Sequence, residues 1–260
     1  NEPVLDYAPG SPERVRLDAE LEAQSSRQLE IPLVIGGEHL RTDDRGECRM
    51  PHRHAHLLGT YSKAGEAEML QAIEAALAAR EGWANTPWHE RAAVLLRAAD
   101  LLCGRRREEI NAAAMLGLSK TPHQAEIDAA CELADFFRFN VHFMTKIYED
   151  QPISPPGQWN RLDWRPLEGF VFAVTPFNFL SIAGNLPTAP ALMGNTVVWK
   201  PASSAVYPSF LVMKLLEEAG MPKGVVNMVP GPGAAVGNVA LTHPELAGVH
   251  FTGSTGTLRS

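Results

Sequence analysis

Cysteine is scarce in this sequence of 260 residues, which contains only Cys48, Cys103 and Cys131. Three thiols so far apart along the chain fit neither a disulfide framework nor a CxxC metal site, so their number favours a reducing compartment. We therefore expect a cytoplasmic protein, with the mitochondrial matrix as the alternative.

Long apolar runs and an excess of positive charge are also missing. No apolar run approaches the roughly 20 residues that a membrane-spanning helix needs. The formal net charge is -7, so the chain has no basic field that would attract nucleic acid or an anionic membrane surface. Hydrophobic residues make up 45% of the sequence and charged residues 20%, which is typical of a soluble globular protein. We expect neither nucleic acid nor a membrane as a partner.

Four segments of the chain differ in character. Residues 1–62 begin with a polar arm and continue into β-rich apolar runs interrupted by glycine. Residues 63–150 are rich in Ala, Leu and Glu at helical spacing and predict a helical section. Residues 151–168 contain four prolines and two tryptophans, and the alternation in NRLDW predicts an extended hairpin. Residues 169–260 alternate short β-rich runs with helical stretches, which is typical of βαβ units around a parallel sheet.

Four short motifs follow the β-rich runs of the last segment: TPFNFL, WKPASS, VPGPGAAVG and FTGST. In open parallel sheets ligands bind beyond the carboxyl ends of the strands, so these motifs mark the candidate site. Each motif alone is a weak signal, because PGPG, for example, is also a common turn. Gly231, Gly233 and Gly237 are spaced one residue wider than in an ordinary dinucleotide fingerprint.

In their order and spacing, the four motifs together resemble the aldehyde dehydrogenase superfamily. The phrases QAEIDAACELADFFRFN, PLEGFVFAVTPFNF and NLPTAPALMGNTVVWKP narrow the resemblance to the branch that oxidises glutamate γ-semialdehyde (Δ1-pyrroline-5-carboxylate) to glutamate in proline catabolism. The resemblance implies an α/β fold with a Rossmann-like parallel sheet and an amino-terminal helical section, here incomplete. It also implies that residues 151–168 are an oligomerisation-type hairpin, that residues 169–260 are a truncated dinucleotide-binding section, and that the complete protein is a homo-oligomer.

The chemistry of that family assigns a role to Asn178. A cysteine thiolate attacks the small-molecule aldehyde substrate, hydride passes to the nicotinamide, and water hydrolyses the thioester. The resemblance implies that Asn178 donates its side-chain amide to the oxyanion, a contribution on the order of 10²–10³ in rate. The alternative is a structural role, in which Asn178 only fixes the turn after Pro176.

The resemblance implies NAD as the cofactor. Lys200 matches the lysine that hydrogen-bonds the adenosine ribose, although a solvated lysine before a turn-forming proline is the alternative. Gly231 and Gly233 would let the backbone approach the cofactor, and Ser254 would hydrogen-bond the pyrophosphate. The other cofactor-binding candidates are Thr175, Pro176, Phe177, Ser203, Gly237 and Gly253. Many relatives have an acidic residue at the position of Ser203, and serine does not repel a 2′-phosphate, so NADP is also possible.

Several features are not interpreted as sites. His52, His54 and His56 would share one face of a strand, but the flanking Arg53 favours a solvated loop. The run from Arg105 to Arg107 is interpreted as an exposed helix face.

The cysteines and the last long helix give further expectations. Cys48 is placed in a polar turn with nothing to activate it, whereas Cys103 and Cys131 lie on apolar helical faces. Helical spacing predicts that Ile127, Cys131, Leu133 and Phe137 are buried.

The catalytic cysteine and the general-base glutamate of the family follow FTGS, and neither is present in this sequence. The ending GTLRS instead resembles the stretch just before the nucleophile. We expect the chain as given to be inactive, to bind dinucleotide weakly at best, and to aggregate because one edge of its sheet is open. Two alternatives remain: another semialdehyde dehydrogenase, or a catalytically dead nucleotide-binding or assembly module.

Overall fold

The computed structural model describes residues 1–259. The α-helices in this range are α1 (Pro12–Ser25), α2 (Glu66–Asn85), α3 (Trp88–Cys103), α4 (Arg107–Leu118), α5 (Pro122–Ala125), α6 (Leu133–Glu149), α7 (Leu180–Leu192), α8 (Val206–Glu218), α9 (Gly233–Thr242) and α10 (Thr255–Arg259). A π-helical segment, Glu126–Glu132, joins α5 to α6, and a 3-10 turn, Ser203–Ala205, precedes α8. The strands are β1 (Leu29–Ile31), β2 (Leu33–Ile35), β3 (Glu38–Leu40), β4 (Arg45–Met50), β5 (Arg53–Ser62), β6 (Phe170–Val174), β7 (Thr196–Lys200), β8 (Val226–Met228) and β9 (Leu246–Phe251).

A six-stranded sheet with the order β3-β2-β8-β7-β6-β9 forms the centre of the fold. Strands β8, β7, β6 and β9 run parallel, whereas β2 pairs antiparallel with both β8 and β3. Every residue of β6 and β7 except the last is buried, as expected for parallel strands that are covered on both faces. The predicted α/β fold with a parallel sheet is confirmed.

Helices cover both faces of this sheet. On one face, α2 and α9 pack against Phe170, Phe172 and Val198. On the other face, α3, α7 and α8 share a larger core with Val197 and Trp199. Alternate residues of β6 and β7 therefore point into two different cores, and ligands can approach the sheet at the ends of its strands.

The carboxyl ends of the four parallel strands lie side by side. Val174 of β6 is in register with Lys200 of β7 and with Phe251 of β9, and Trp199 of β7 is in register with Met228 of β8. The loops that follow these strands consequently leave the sheet at the same end, which brings the four sequence motifs together.

The first residues of the chain are bound to the helical section by a buried ionic cluster. Glu126 accepts hydrogen bonds from the Leu5 amide at 2.9 Å and from the Tyr7 hydroxyl at 2.8 Å. Arg107 forms ion pairs with Glu126 and, at 2.7 Å, with Glu2. The prediction of an exposed helix face is therefore wrong for Arg107, because the amino-terminal arm folds back over α4 and covers this side chain.

The π-helical segment changes which side chains of the last long helix are buried. Ile127 is exposed and its predicted burial is wrong, whereas Cys131, Leu133 and Phe137 are buried. A π-helical turn contains an additional residue, so the ordinary helical spacing used for the prediction does not hold across it. The wider turn is also where Glu126 and Asp128, two charged side chains only two positions apart, are both buried.

Residues 151–168 form an excursion without a backbone ladder, so the predicted extended hairpin is wrong in this respect. Side chains connect its two arms instead: the Asn160 amide donates to Ser154 Oγ at 3.0 Å, and the Leu162 amide donates to Gln151 Oε1 at 2.9 Å. The four prolines provide no N–H donors, which explains why no ladder forms. The assignment of this segment to oligomerisation, like the division of the chain into four segments, stays a prediction.

A second sheet with the order β1-β5-β4 lies outside the central one. Cys48 is buried in β4 and not in a polar turn. His54 and His56 lie on β5, so the expected loop is wrong for both, although His54 is exposed to solvent as expected. Among residues 1–259, no group of His, Cys, Asp and Glu side chains has an arrangement that could hold a metal ion. None of the helices described in that range is long and apolar enough to cross a membrane.

Candidate active site

The turn after β6 carries Asn178 and has a fixed beginning. Thr175 is buried, its hydroxyl accepts a hydrogen bond from Trp199 Nε1 at 3.0 Å, and its amide donates to the Lys200 carbonyl at 3.2 Å. Pro176 is partly buried, whereas Phe177 and Asn178 are exposed. Trp199 thus supports the site by packing and by one hydrogen bond, and the Asn178 amide faces solvent.

The end of the same turn is fixed by an ion pair from another part of the chain. Asp128 in the π-helical segment accepts hydrogen bonds from the amides of Leu180 and Ser181, both at 3.0 Å. The ammonium of Lys120 lies 3.0 Å from the Asp128 carboxylate and 4.4 Å from the centre of the Phe179 ring. Sequence reasoning did not identify Asp128 or Lys120. The available signal was Glu126 and Asp128 in EIDAACE, two acidic residues that helical spacing cannot place on one solvated face.

Lys200 ends β7 with an ammonium group that is not engaged by an acidic side chain. Its Nζ donates to the Pro201 carbonyl at 3.3 Å, and it forms no ion pair with a carboxylate of residues 1–259. Burial lowers the pKa of Lys200, because a low-polarity environment disfavours the charged form. A polar ligand that supplies hydrogen-bond acceptors at this end of the sheet would therefore stabilise the charged form of the Lys200 side chain.

The glycine motif lies at the start of α9. An added Cβ at Gly231 would lie 2.7 Å from the Ala64 carbonyl oxygen, so this glycine is required by packing between two backbone segments. An added Cβ at Gly233 or Gly237 would meet nothing within 4 Å. Pro232 precedes the helix and has no side-chain cap, which leaves the backbone N–H groups of the first turn of α9 available to a ligand.

The remaining candidates lie on the surface around this end of the sheet. Ser203 is exposed at the start of the 3-10 turn after Lys200. Ser254 Oγ accepts a hydrogen bond from the Thr257 amide at 3.1 Å and contacts the Thr257 hydroxyl at 2.8 Å, so it is engaged with α10. An added Cβ at Gly253 would lie 2.6 Å from the Phe251 ring. The structure therefore gives Gly253 and Ser254 local structural roles beside the ones predicted.

None of the three thiols has the environment of a nucleophile. Burial raises the pKa of Cys48, Cys103 and Cys131 to about 12 in each case. A thiol of this kind remains protonated at neutral pH, and the protonated form is not the reactive one.

The sequence profile described as the aldehyde dehydrogenase family matches residues 40–260. The chain belongs to this family. The match includes all four motifs and the helical section, but only a small part of the segment 1–62.

Two curated relatives of the chain carry the same enzyme name. It is 51% identical over 262 residues to Delta-1-pyrroline-5-carboxylate dehydrogenase of Agaricus bisporus, covering 100% of this chain and 48% of that protein. It is 46% identical over 259 residues to the mitochondrial enzyme of that name from Homo sapiens, covering 100% of this chain and 46% of the relative. Thus the chain spans about half the length of the curated relatives that it matches.

A solved structure shows the same fold. The Delta-pyrroline-5-carboxylate dehydrogenase of Mycobacterium tuberculosis bound with NAD superimposes with a TM-score of 0.98 at 60% sequence identity, covering 100% of this chain and 49% of that chain. The 1-pyrroline-5-carboxylate dehydrogenase from Thermus with bound NAD superimposes with a TM-score of 0.87 at 32% identity, covering 96% of this chain and 48% of that one. The incomplete aldehyde dehydrogenase fold expected from the sequence is thereby confirmed.

Proposed function

We propose that this chain is the NAD-binding half of an aldehyde dehydrogenase that oxidises L-glutamate γ-semialdehyde to L-glutamate in proline catabolism. The relatives with that activity in their names cover the whole chain, and two of the similar structures contain NAD. The observation that carries the proposal is the ammonium of Lys200, which has no carboxylate partner among residues 1–259 and lies beside the turn of Asn178. The two groups leave the sheet from adjacent, in-register strands.

The residues at this end of the sheet fit a dinucleotide. Lys200 would donate to the ribose hydroxyls, and the uncapped first turn of α9 at Gly233 would receive the pyrophosphate. The open space at Gly233 and Gly237 allows the close approach that this requires. When bound, NAD supplies the acceptor for the hydride that leaves the aldehyde. Ser203 adds no negative charge near the ribose, so we also propose that NADP is accepted.

Asn178 is proposed as the oxyanion donor. Its side chain is exposed in a turn whose two ends are fixed, and in residues 1–259 it has no hydrogen-bond partner of its own. An amide in this state can donate to the oxygen of an aldehyde as negative charge develops on it.

The chain as given is proposed to bind the cofactor without completing the reaction. Its three thiols are protonated at neutral pH, so the nucleophile would come from elsewhere in the protein. The excursion 151–168, which exposes Ile153 and Trp159, is proposed as the oligomerisation surface. The compartment is proposed to be the cytoplasm or the mitochondrial matrix, and several relatives are named as mitochondrial.

The test is a pair of measurements on the same purified chain. Titration with NAD and NADP, followed by ligand-observed NMR, should show weak binding of both. An assay with glutamate γ-semialdehyde should show no formation of NADH. If NAD does not bind at all, the proposed cofactor site is wrong; if NADH forms, one of the thiols is a nucleophile and the assignment of roles is wrong.

A second candidate is a catalytically dead nucleotide-binding module. The observation that favours it is the burial of the thiols: Cys48 and Cys131 are buried and Cys103 is half-buried, so none of the three is open to an aldehyde. Sequencing the encoding locus beyond Ser260 separates the two hypotheses: a downstream cysteine in the family's context favours the enzyme, and a stop codon favours the dead module. The other alternative, a different semialdehyde as substrate, is tested by comparing aldehydes in a protein that contains that cysteine.

A further inference from the structure

Helix α7 begins without a cap from its own sequence. Phe179 occupies the N-cap position and its side chain makes no hydrogen bond to the helix. The first two amides, those of Leu180 and Ser181, donate instead to the carboxylate of Asp128. The Ser181 hydroxyl lies 2.7 Å from this carboxylate and also 2.7 Å from Glu132 Oε2, and it can donate its single proton to either. A side chain from the π-helical segment thus acts as an N-cap and also places a negative charge at the positive end of the helix.

The charge of Asp128 is compensated by a single lysine. The side chain of Asp128 is 3% exposed and that of Lys120 is 14% exposed, with 3.0 Å between the ammonium and the carboxylate. A buried carboxylate is tolerated only when its charge is paired and its oxygens accept hydrogen bonds, and both conditions are met here. The carboxylate is therefore not a surface charge that happens to be near the helix.

Lys120 also contacts the turn itself. Its ammonium lies over the ring of Phe179 at 4.4 Å from the ring centre, which is the distance of a favourable cation–π contact. Phe179 directly follows Asn178. One ion pair therefore holds the three consecutive residues after Asn178: Phe179 by its ring, and Leu180 and Ser181 by their amides.

The other side of Asn178 is held by different groups. Thr175 is fixed by Trp199 and by the carbonyl of Lys200. Asn178 lies between these two anchors, and its own side chain has no hydrogen-bond partner in the part of the chain that the structure describes. The position from which its side chain leaves the backbone is consequently set by contacts on both sides.

We propose that Asp128, with Lys120 as its counterion, is the positioning residue for the amide of Asn178. The role of Asn178 as an oxyanion donor rests on the proposed function. The placement of the turn by Asp128 does not depend on it. Loss of the carboxylate would leave two buried amides without acceptors and would release Phe179 from Lys120. A displacement of the amide on the order of 1 Å is sufficient to reduce a rate by about 10²-fold.

The test compares Asp128→Asn with Asp135→Asn by NMR. The asparagine at position 128 keeps the shape of the side chain, but it offers one oxygen where the carboxylate accepts from two backbone amides and pairs with a cation. Asp135 is the matched control, because its carboxylate binds the amino-terminal arm at Asn1 and Glu2 and not the turn. The cross-peak of the Asn178 side-chain amide is assigned as the one that disappears in Asn178→Ala.

We expect the amides of Leu180 and Ser181 to exchange with solvent at least about tenfold faster in Asp128→Asn, since hydrogen bonds to a charged acceptor are lost. We also expect the Asn178 side-chain cross-peak to shift or broaden, and both signals to stay unchanged in Asp135→Asn. Faster exchange with an unmoved Asn178 cross-peak would show that Asp128 only caps the helix, and this result would overturn the proposal.

A second variant keeps the test decisive if Asp128→Asn does not fold. Lys120→Met retains the length of the side chain but removes the charge, and it should shift the Asn178 cross-peak in the same direction. Unchanged spectra in a folded Lys120→Met variant would contradict the role of the ion pair. NAD titration of the same wild-type sample tests the proposed function separately, because the exchange and cross-peak measurements need no cofactor.

Discussion

The backbone amide of Thr175 donates a hydrogen bond to the carbonyl oxygen of Lys200 over 3.2 Å. This bond extends the ladder of β6 and β7 by one step beyond the last residue of β6. The first residue of the turn that presents Asn178 is therefore hydrogen-bonded to the lysine proposed to bind the ribose. Strand register thus places the start of the turn that carries the proposed oxyanion donor beside the proposed cofactor site.

Replacement by alanine should affect stability differently at Gly231 and at Gly233, the two glycines around the start of α9. Gly231→Ala places its Cβ against the Ala64 carbonyl at 2.7 Å, and overpacking of this kind costs about 1–3 kcal/mol. Gly233→Ala meets open space and should leave the free energy of unfolding within about 0.5 kcal/mol of that of the original chain. Urea denaturation of both variants measures this, and equal stability of the two would show that Gly231 is not required by packing.

Acid should loosen the amino-terminal arm. Burial raises the pKa of Glu2, but hydrogen bonds from Arg138, Cys103 and Arg107 outweigh it and lower the pKa from 4.5 to about 2. A carboxyl group with a lowered pKa stabilises the folded state fully above its unfolded value, and this contribution disappears as the pH falls from about 4.5 towards 2.

Glu2→Gln should therefore destabilise the chain by about 1 kcal/mol at pH 7, where the ion pairs are intact but partly screened. The difference from the original chain should shrink as the pH is lowered from 4.5 to 2. Thermal unfolding across this range measures the difference. A stability difference that stays constant with pH would contradict the assigned role of Glu2.

The thiols should be slow to react in the folded chain. Burial raises the pKa of Cys48 from 9.0 to about 12, which reduces the thiolate fraction at pH 8 by about 10³-fold. Cys103 and Cys131 have the same raised pKa. Labelling with a chromogenic disulfide should thus proceed in denaturant but hardly at all under native conditions. Rapid native labelling of one thiol would identify an activated cysteine and would refute the expected lack of activity.

The free edge of β9 should promote association. Within residues 1–259 this strand pairs only with β6, and Val249 on it is 44% exposed. A lysine on an edge strand opposes pairing between molecules, so Val249→Lys should raise the temperature at which light scattering begins. Leu241→Lys is the control, since Leu241 is 56% exposed but lies on helix α9. A cooperative melt of the unmodified chain from a monodisperse sample would contradict this prediction.

The sheet and the place of the site could be predicted because the signals are local. The apolar runs of β6 and β7 indicate covered parallel strands, and parallel strands bring the residues after Val174 and Lys200 to one end. The placement of Asn178 and Lys200 at the same end of the sheet followed from that rule. The functional identities of these residues came from the resemblance to a family and not from the spacing.

The hydrogen bonds and ion pairs that hold the site in place could not be predicted, because they join residues that are far apart in the sequence. Asp128 binds the amides of Leu180 and Ser181, and Arg107 meets Glu2 only after the arm has folded back. Helical spacing does not predict contacts between residues that are far apart in the sequence. The π-helical turn also changes the spacing of buried positions, as the exposure of Ile127 shows.

The end of the sheet at Lys200 is proposed to bind NAD. Lys200→Met removes the ammonium and keeps the length of the side chain. Lys223→Met is the matched control, because Lys223 pairs with Glu38 and precedes β8, at the opposite end of the sheet.

The most direct measurement is therefore an NMR titration of NAD into the original chain and these two variants. We expect the original chain and Lys223→Met to bind with a dissociation constant on the order of 10⁻⁴–10⁻³ M, and Lys200→Met to bind about tenfold more weakly. Equal affinity of Lys200→Met and the original chain would show that the ammonium of Lys200 does not bind NAD.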